Sequence, residues 1–239
     1  MSQPAEAPAG RPPARAELAW YSFARTLVLG LAWLMWRTEV HGREHLPQTV
    51  PYVLAPVHRS YLDALFAASV TRRRVRFMGK GEMWSKGWSA RLFSSLGAFP
   101  VQLRGISGTD SRRGTPDREA LRSCQVALAG GEPVVMFPEG TRRSGPVVQP
   151  LFDGPAFVAL RMNVPIVPVG IGGSERAMPP GARWLRPGKV SVVVGKPIWP
   201  PARPPGSAVP RSAVSELTAQ LRSSLQAAFD EARRRVGEP

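Results

Sequence analysis

The chain has 239 residues, enough for one domain with a real core and short appendages. Its 32 Lys and Arg against 17 Asp and Glu give a formal net charge of +15, which favours an anionic partner: nucleic acid, acidic lipid, or a phosphorylated or carrier-borne substrate. A single cysteine, Cys124, excludes an internal disulfide and offers no metal site, and the absence of zinc-finger, helix-turn-helix or aromatic-basic signatures argues against nucleic acid. Arginine, alanine and proline run high while lysine is scarce. A GC-rich genome produces the same bias, so a purely compositional origin of some of the charge is the alternative to an anionic partner.

Residues 1 to about 15 are rich in Ala, Pro, Gly and Arg and are expected to be a disordered leader. Leu18 to Trp36 is then almost wholly apolar. A helix over Trp20 to Trp36 would measure about 26 Å at ~1.5 Å per residue, short of the ~30 Å hydrocarbon core of a bilayer. Ser22, Arg25 and Thr26 gather on one side, and Trp20, Trp33 and Trp36 suit a membrane interface. The pattern predicts a helix lying in one leaflet; an ordinary buried helix is the alternative. A signal peptide fits less well, because Arg37-Thr38-Glu39 follows with no small-residue cleavage site.

From Val40 onward, short apolar runs alternate with helix-like segments, the mark of an α/β domain. Strands are expected at Tyr52–Val57, Val75–Met78, Ala98–Val101, Val134–Phe137, Ile166–Val169 and Val190–Val194. Helices are expected at Leu62–Val70, Trp84–Leu96, Arg118–Ala129 and Pro155–Arg161. Pro200 to Pro210 reads as a linker. Ser212 is the expected cap of a last helix whose apolar stripe is Val214, Leu217, Leu221, Leu225 and Ala228. Arg72, Arg73, Arg74 and Arg76 form a basic run, read either as a solvated face or as a surface for anionic headgroups or an acidic carrier. Cys124 sits in a helix-like run as a small buried hydrophobe.

The most informative stretch is His58-Arg59-Ser60-Tyr61-Leu62-Asp63. On a continuous helix, residues five apart point about 140° away from each other and cannot pair. If His58 ends a strand and Asp63 starts the next helix, the turn between them folds the two together. The pair is then a general base with its orienting carboxylate, with no serine or cysteine nucleophile required. Ser60 lacks the nucleophile-elbow glycines of a hydrolase. A second block, Phe137-Pro138-Glu139-Gly140-Thr141-Arg142, closes the run Pro133 to Met136. A third run is Val164-Pro165-Ile166-Val167-Pro168-Val169-Gly170, and between the first two blocks lies Gly97-Ala98-Phe99-Pro100-Val101, followed by Arg104.

In this order the segments resemble the blocks of the 1-acylglycerol-3-phosphate acyltransferase family, over about Val40 to Pro197. The resemblance implies a single α/β acyltransferase domain over 39–200, with a central mixed sheet flanked by helices. It would follow a leader and membrane-associating helix at 1–38 and precede a proline-rich linker and C-terminal helix at 201–239. It implies His58 as base, with Asp63 holding its far ring nitrogen. Glu139, Gly140, Thr141 and Arg142 would bind a glycerol phosphate acceptor, with Glu139 orienting Arg142 or an acceptor hydroxyl. Arg104 and Lys80 would face the acceptor phosphate. Two departures stand out. Val57 occupies the place before the histidine where the family often carries asparagine, and Leu103 occupies the family's arginine position, with Arg104 one residue later and the polar stretch Gly105 to Gly114 following.

The implied reaction moves a fatty acyl group from an acyl-CoA or acyl carrier protein thioester to 1-acylglycerol-3-phosphate, giving phosphatidic acid, with no metal or cofactor. The implied partners are the lysophospholipid, the thioester donor and membrane lipids, met at the cytoplasmic face of the cell membrane by a peripheral or monotopic enzyme. Acylation of another lysophospholipid or of a glycolipid is the sibling reading. A non-catalytic lipid-binding relative is the reading from another class.

Overall fold

The computed structural model describes residues 15–80, 98–101, 118–179, 181–182, 184–204 and 206–239. Helix α1 (Arg15–Trp36) leads into strand β1 (Glu39–His41), β2 (Val53–Pro56), α2 (Asp63–Ser69), β3 (Arg76–Lys80) and β4 (Ala98–Val101). Then come α3 (Arg118–Ala129), β5 (Val134–Val135), α4 (Gly154–Met162), β6 (Ile166–Gly172), α5 (Ser174–Ala177), β7 (Ser191–Val194) and α6 (Arg211–Arg235). The strands form one seven-stranded sheet in the order β1-β7-β6-β2-β5-β3-β4. Every neighbouring pair is parallel except β6 and β7, so the sheet is mixed, as expected.

All of β2 and β6 is buried, which explains why both read as continuous apolar runs rather than alternating ones. The pleat sends their side chains to two cores. Leu54, Val57, Val167 and Val169 pack on one face with Phe66 and Trp36. Val53, Ala55 and Ile166 pack on the other with Val158 and Leu221. Helix α6 buries the expected stripe, extended by Phe229 and Ala232. Its backbone lies directly against β6. A Cβ at Gly170 would fall 2.1 Å from the Ala228 carbonyl oxygen, and one at Gly172 would fall 2.4 Å from that of Ala232. Only glycine fits at these two strand positions.

Helix α1 has two faces. Tyr21, Ala24, Ala32 and Trp36 are buried, and the Arg25 guanidinium reaches over to donate to the Thr71 carbonyl. Trp20, Phe23, Leu27, Leu31 and Leu34, spaced three or four apart, face outward and are exposed. Among the described residues no helix is long and apolar enough to cross a membrane.

Several sequence expectations need correction. Helix α6 starts at Arg211 with Pro210 in the cap position; Ser212 lies inside the first turn and caps nothing. The fixed φ of proline organises that start instead. Strand β5 stops at Val135, because the chain must turn away to form the Phe137–Arg142 loop. The basic run is no open surface. Arg73 donates to the carbonyls of Val50 at 2.7 Å and Gly131 at 2.6 Å, and Arg74 and Arg76 flank Glu132 at 3.5 and 3.8 Å. Only Arg72 of the four is exposed. The short helix α5 was not anticipated, and the helix expected at Trp84–Leu96 lies outside the described residues.

Candidate active site

The candidate residues follow the carboxyl ends of neighbouring parallel strands, where open α/β sheets place their ligand sites. His58 follows β2, Glu139 to Arg142 follow β5, and Lys80 is the last residue of β3. The side chain of Lys80 and the whole of Arg104 lie outside what the structure describes.

The turn after β2 does what the five-residue spacing requires. His58 Nδ1 lies 3.0 Å from Asp63 Oδ2. That same oxygen accepts the backbone N–H of Arg59 and, at 2.6 Å, that of Ser60. Asp63, at 0% exposure, thus closes the turn and fixes the ring in one act. The geometry selects the tautomer in which Nδ1 donates to the carboxylate, leaving Nε2 as a free acceptor. The ring stacks on Phe137 at 4.0 Å between centroids and 24° between planes, and its side chain stays 18% exposed. Nε2 has no hydrogen-bond partner among the described residues. Val57, before the histidine, is fully buried in the apolar core, so no polar side chain acts from that position.

The second block holds the first from behind. The Glu139 carboxylate is fully buried and pairs with the equally buried Arg59 guanidinium at 2.6 Å. Its Oε2 also accepts the His58 backbone N–H at 3.0 Å, and its Oε1 accepts the Gln149 N–H at 3.0 Å. The Arg143 N–H returns to the His58 carbonyl at 2.8 Å. Arg59 donates further to the carbonyls of Gly145 and Val147, both at 3.1 Å, and its guanidinium lies 4.9 Å from the Phe229 ring centroid. Glu139 therefore does not orient Arg142; it ties the two blocks together.

Sequence reasoning missed Arg59. The signal was available: each block carries one opposite charge next to its key residue. Gly140 is needed for two reasons, its φ of +68° and the Phe152 ring, which would lie 2.4 Å from an added Cβ. Its close contact is thus with the protein itself. Thr141 is exposed.

Arg142 is the opposite of Arg59. Its guanidinium stacks 3.7 Å above the exposed Tyr61 ring, and its Nε is buried without a partner. No described residue accepts a hydrogen bond from it. A planar cation held by its face, with donors unengaged around its edge, is arranged to bind an anion bidentately. Tyr61, the residue that holds it, lies inside the first block and was not singled out from the sequence. Cys124 is fully buried, and burial pushes its thiol up to about 12, which removes it as a nucleophile near neutral pH.

The acyltransferase family model matches residues 37–172, more than half of the chain. The chain belongs to the acyltransferase family. It is 29% identical over 169 residues to a chloroplastic 1-acyl-sn-glycerol-3-phosphate acyltransferase of Brassica napus, covering 69% of this chain and 46% of the relative. A Chlamydomonas reinhardtii enzyme of the same name is 31% identical, with 69% and 48% covered, and the mouse alpha form is 30% identical, with 68% and 55% covered. The chain thus spans about half the length of the curated relatives it matches. The fold is shared with the LPA acyltransferase PlsC of Thermotoga maritima, at a TM-score of 0.68 and 22% identity, over 93% of this chain and 84% of that one. In this acyltransferase-family chain both blocks lie inside the matched stretch. Helix α6, which brings Phe229 to Arg59, lies beyond it.

Proposed function

We propose that the protein transfers a fatty acyl group from a thioester to the free hydroxyl of 1-acylglycerol-3-phosphate, giving phosphatidic acid. One observation carries the reading: a histidine oriented by a buried carboxylate, its outer nitrogen free, shares its site with an arginine whose donors are unengaged. His58 Nε2 removes the hydroxyl proton as the oxygen attacks the thioester carbonyl carbon. Asp63 stabilises the resulting imidazolium. The tetrahedral oxyanion collapses with cleavage of the C–S bond, and the proton on Nε2 passes to the departing thiolate. The acyl ester and a free thiol result. Arg142 clamps the acceptor phosphate through its free edge, with Thr141 beside it; Lys80 and Arg104 are proposed to complete the phosphate site. Coenzyme A or an acyl carrier protein supplies the thiol carrier.

The acceptor is a membrane lipid, and α1 provides the attachment. Its outward apolar stripe lies in one leaflet of the cytoplasmic face of the cell membrane, as a monotopic element. A salt wash separates this from charge alone, since the Debye length falls to ~3 Å at 1 M salt. The full chain should stay membrane-bound in salt, and a variant lacking residues 1–38 should detach.

The deciding experiment is thiol release by purified protein from several acyl-CoAs and acyl carrier proteins against a panel of lysophospholipids and glycolipids. Selective turnover of 1-acylglycerol-3-phosphate supports the reading. Turnover of an unphosphorylated acceptor alone would replace it, and lipid binding without thiol release would make the chain a non-catalytic relative.

A further inference from the structure

We infer that the loop between α5 and β7 is a second membrane-contacting element, with Trp184 and Leu185 entering a bilayer beside α1 and the neighbouring Arg186 meeting acidic headgroups. The inference rests on the monotopic reading of α1. Trp184 is 82% exposed and Leu185 follows it at 46%. An exposed indole is usually a mobile surface accident or a contact waiting for its partner. Here the loop is pinned. The Arg186 N–H donates to the Ala177 carbonyl at 2.9 Å, the Trp36 indole N–H donates to the Arg186 carbonyl at 2.8 Å, and the Val190 N–H donates to the Trp36 carbonyl at 2.9 Å. The tip is therefore presented by a frame that includes the last turn of α1. That same turn exposes Trp33 and Leu34, at 63% and 73%. Two exposed apolar groups, from distant parts of the sequence, are thus tied to one helix turn.

Charge selects the partner. From Arg176 to Val190 the sequence has no acidic residue; Arg176 is taken up by Glu238 at 2.9 Å and Lys189 by Glu39 at 3.1 Å, and Arg186 follows directly on Trp184 and Leu185. Arg186 is exposed with no acidic partner among the described residues. A tryptophan and a leucine between arginines match the interfacial zone of a bilayer, where the rings sit at headgroup depth and the cations reach phosphates. The contact also adjoins the chemistry. Met178, where the loop leaves α5, accepts the Ser60 hydroxyl at 2.8 Å, and Ser60 lies in the turn that carries His58.

Cys124 is fully buried, so a single added thiol can carry an environment-sensitive fluorophore. Three full-length variants, Trp184→Cys, Leu34→Cys and Ser223→Cys, are labelled and mixed with vesicles of phosphatidylcholine containing phosphatidylglycerol. The probes at 184 and 34 should shift to the blue and be quenched by spin-labelled lipid, and the probe at 223 should stay unchanged. The unlabelled double variant Trp184→Ser/Leu185→Ser should bind the same vesicles about tenfold more weakly, at an unchanged unfolding midpoint. A responsive probe at 34 with a silent one at 184 would overturn the loop inference and leave the α1 reading standing. Silence at both would overturn the two together. A loss in the double variant seen only as a raised KM for acyl carrier protein would reassign the loop to protein docking and overturn the membrane contact.

Discussion

Arg59 and Arg142 stand in the two motif blocks, and each lies over an aromatic ring, Phe229 for one and Tyr61 for the other. Arg59 is buried and engaged on every side, by Glu139 and by the carbonyls of Gly145 and Val147. Arg142 lies over the exposed Tyr61, and no described residue engages its donors. The difference teaches how to tell a structural arginine from a binding one. Motif membership and aromatic stacking do not discriminate; what matters is whether the guanidinium edge already has its acceptors inside the protein. His58 lies at the boundary, its backbone held by Glu139 and Arg59 and its Nε2 without a partner among the described residues.

The largest effect should come from that boundary. His58→Ala should lower turnover by about 10²- to 10⁴-fold with the fold intact, measured as thiol release alongside circular dichroism. Asp63→Asn should follow it, since an amide favours the wrong imidazole tautomer. Wild-type turnover in His58→Ala would remove the base from the mechanism. On the engaged side, Arg59→Met leaves the Glu139 charge buried and alone. It should cost about 3–5 kcal/mol of stability in urea unfolding. The double change Arg59→Met/Glu139→Leu should recover much of that loss. If the single variant melts like wild type, the strut between the blocks is not structural.

On the open side the signs reverse. Arg142→Lys should leave the unfolding midpoint within about 0.5 kcal/mol of wild type. It should still lower kcat/KM for 1-acylglycerol-3-phosphate by about 10- to 150-fold, as expected for losing a charge-assisted bidentate contact. Equal loss with an uncharged acceptor would make Arg142 a scaffold like Arg59. Tyr61→Leu should cost less, about 2- to 5-fold in the same parameter, and Tyr61→Phe should cost almost nothing, because stacking needs the ring and not the hydroxyl. The smallest effect concerns neither arginine. With its thiol pushed up to about 12, Cys124 should resist alkylation at pH 8 in the folded protein and react once urea exposes it.

Much of this was legible in the chain. The parallel strands announced themselves because burial on both faces leaves nothing polar in β2 or β6, and the stripe of α6 followed from its period. The His58–Asp63 pair was legible because only a strand-turn-helix can fold that spacing together. The Arg59–Glu139 pair was harder to read, since its partners are distant in sequence and the opposite charges of the two blocks do not by themselves say that they turn inward. Glu139 was accordingly given a ligand role in place of a structural one. The Ser212 cap failed for a local reason: the chain was already helical when it reached the serine.

The connectivity of the sheet has a consequence for the order of synthesis. Helix α1 leaves the ribosome early, but the surfaces that seat its C-terminal end are made late. Trp36 bonds to Arg186 and Val190, and β1 pairs with β7 at Glu39↔Ser191. At typical elongation rates of about 5–20 residues per second, roughly 10–30 s separate the helix from its seat. Throughout that interval the partners of its inner face at Phe66, Thr71 and Val75 already exist, but the seat of its last turn does not, and its outer apolar stripe stays uncovered. A chain so arranged can settle the middle of this helix early and must leave its C-terminal turn to close only when β7 is made.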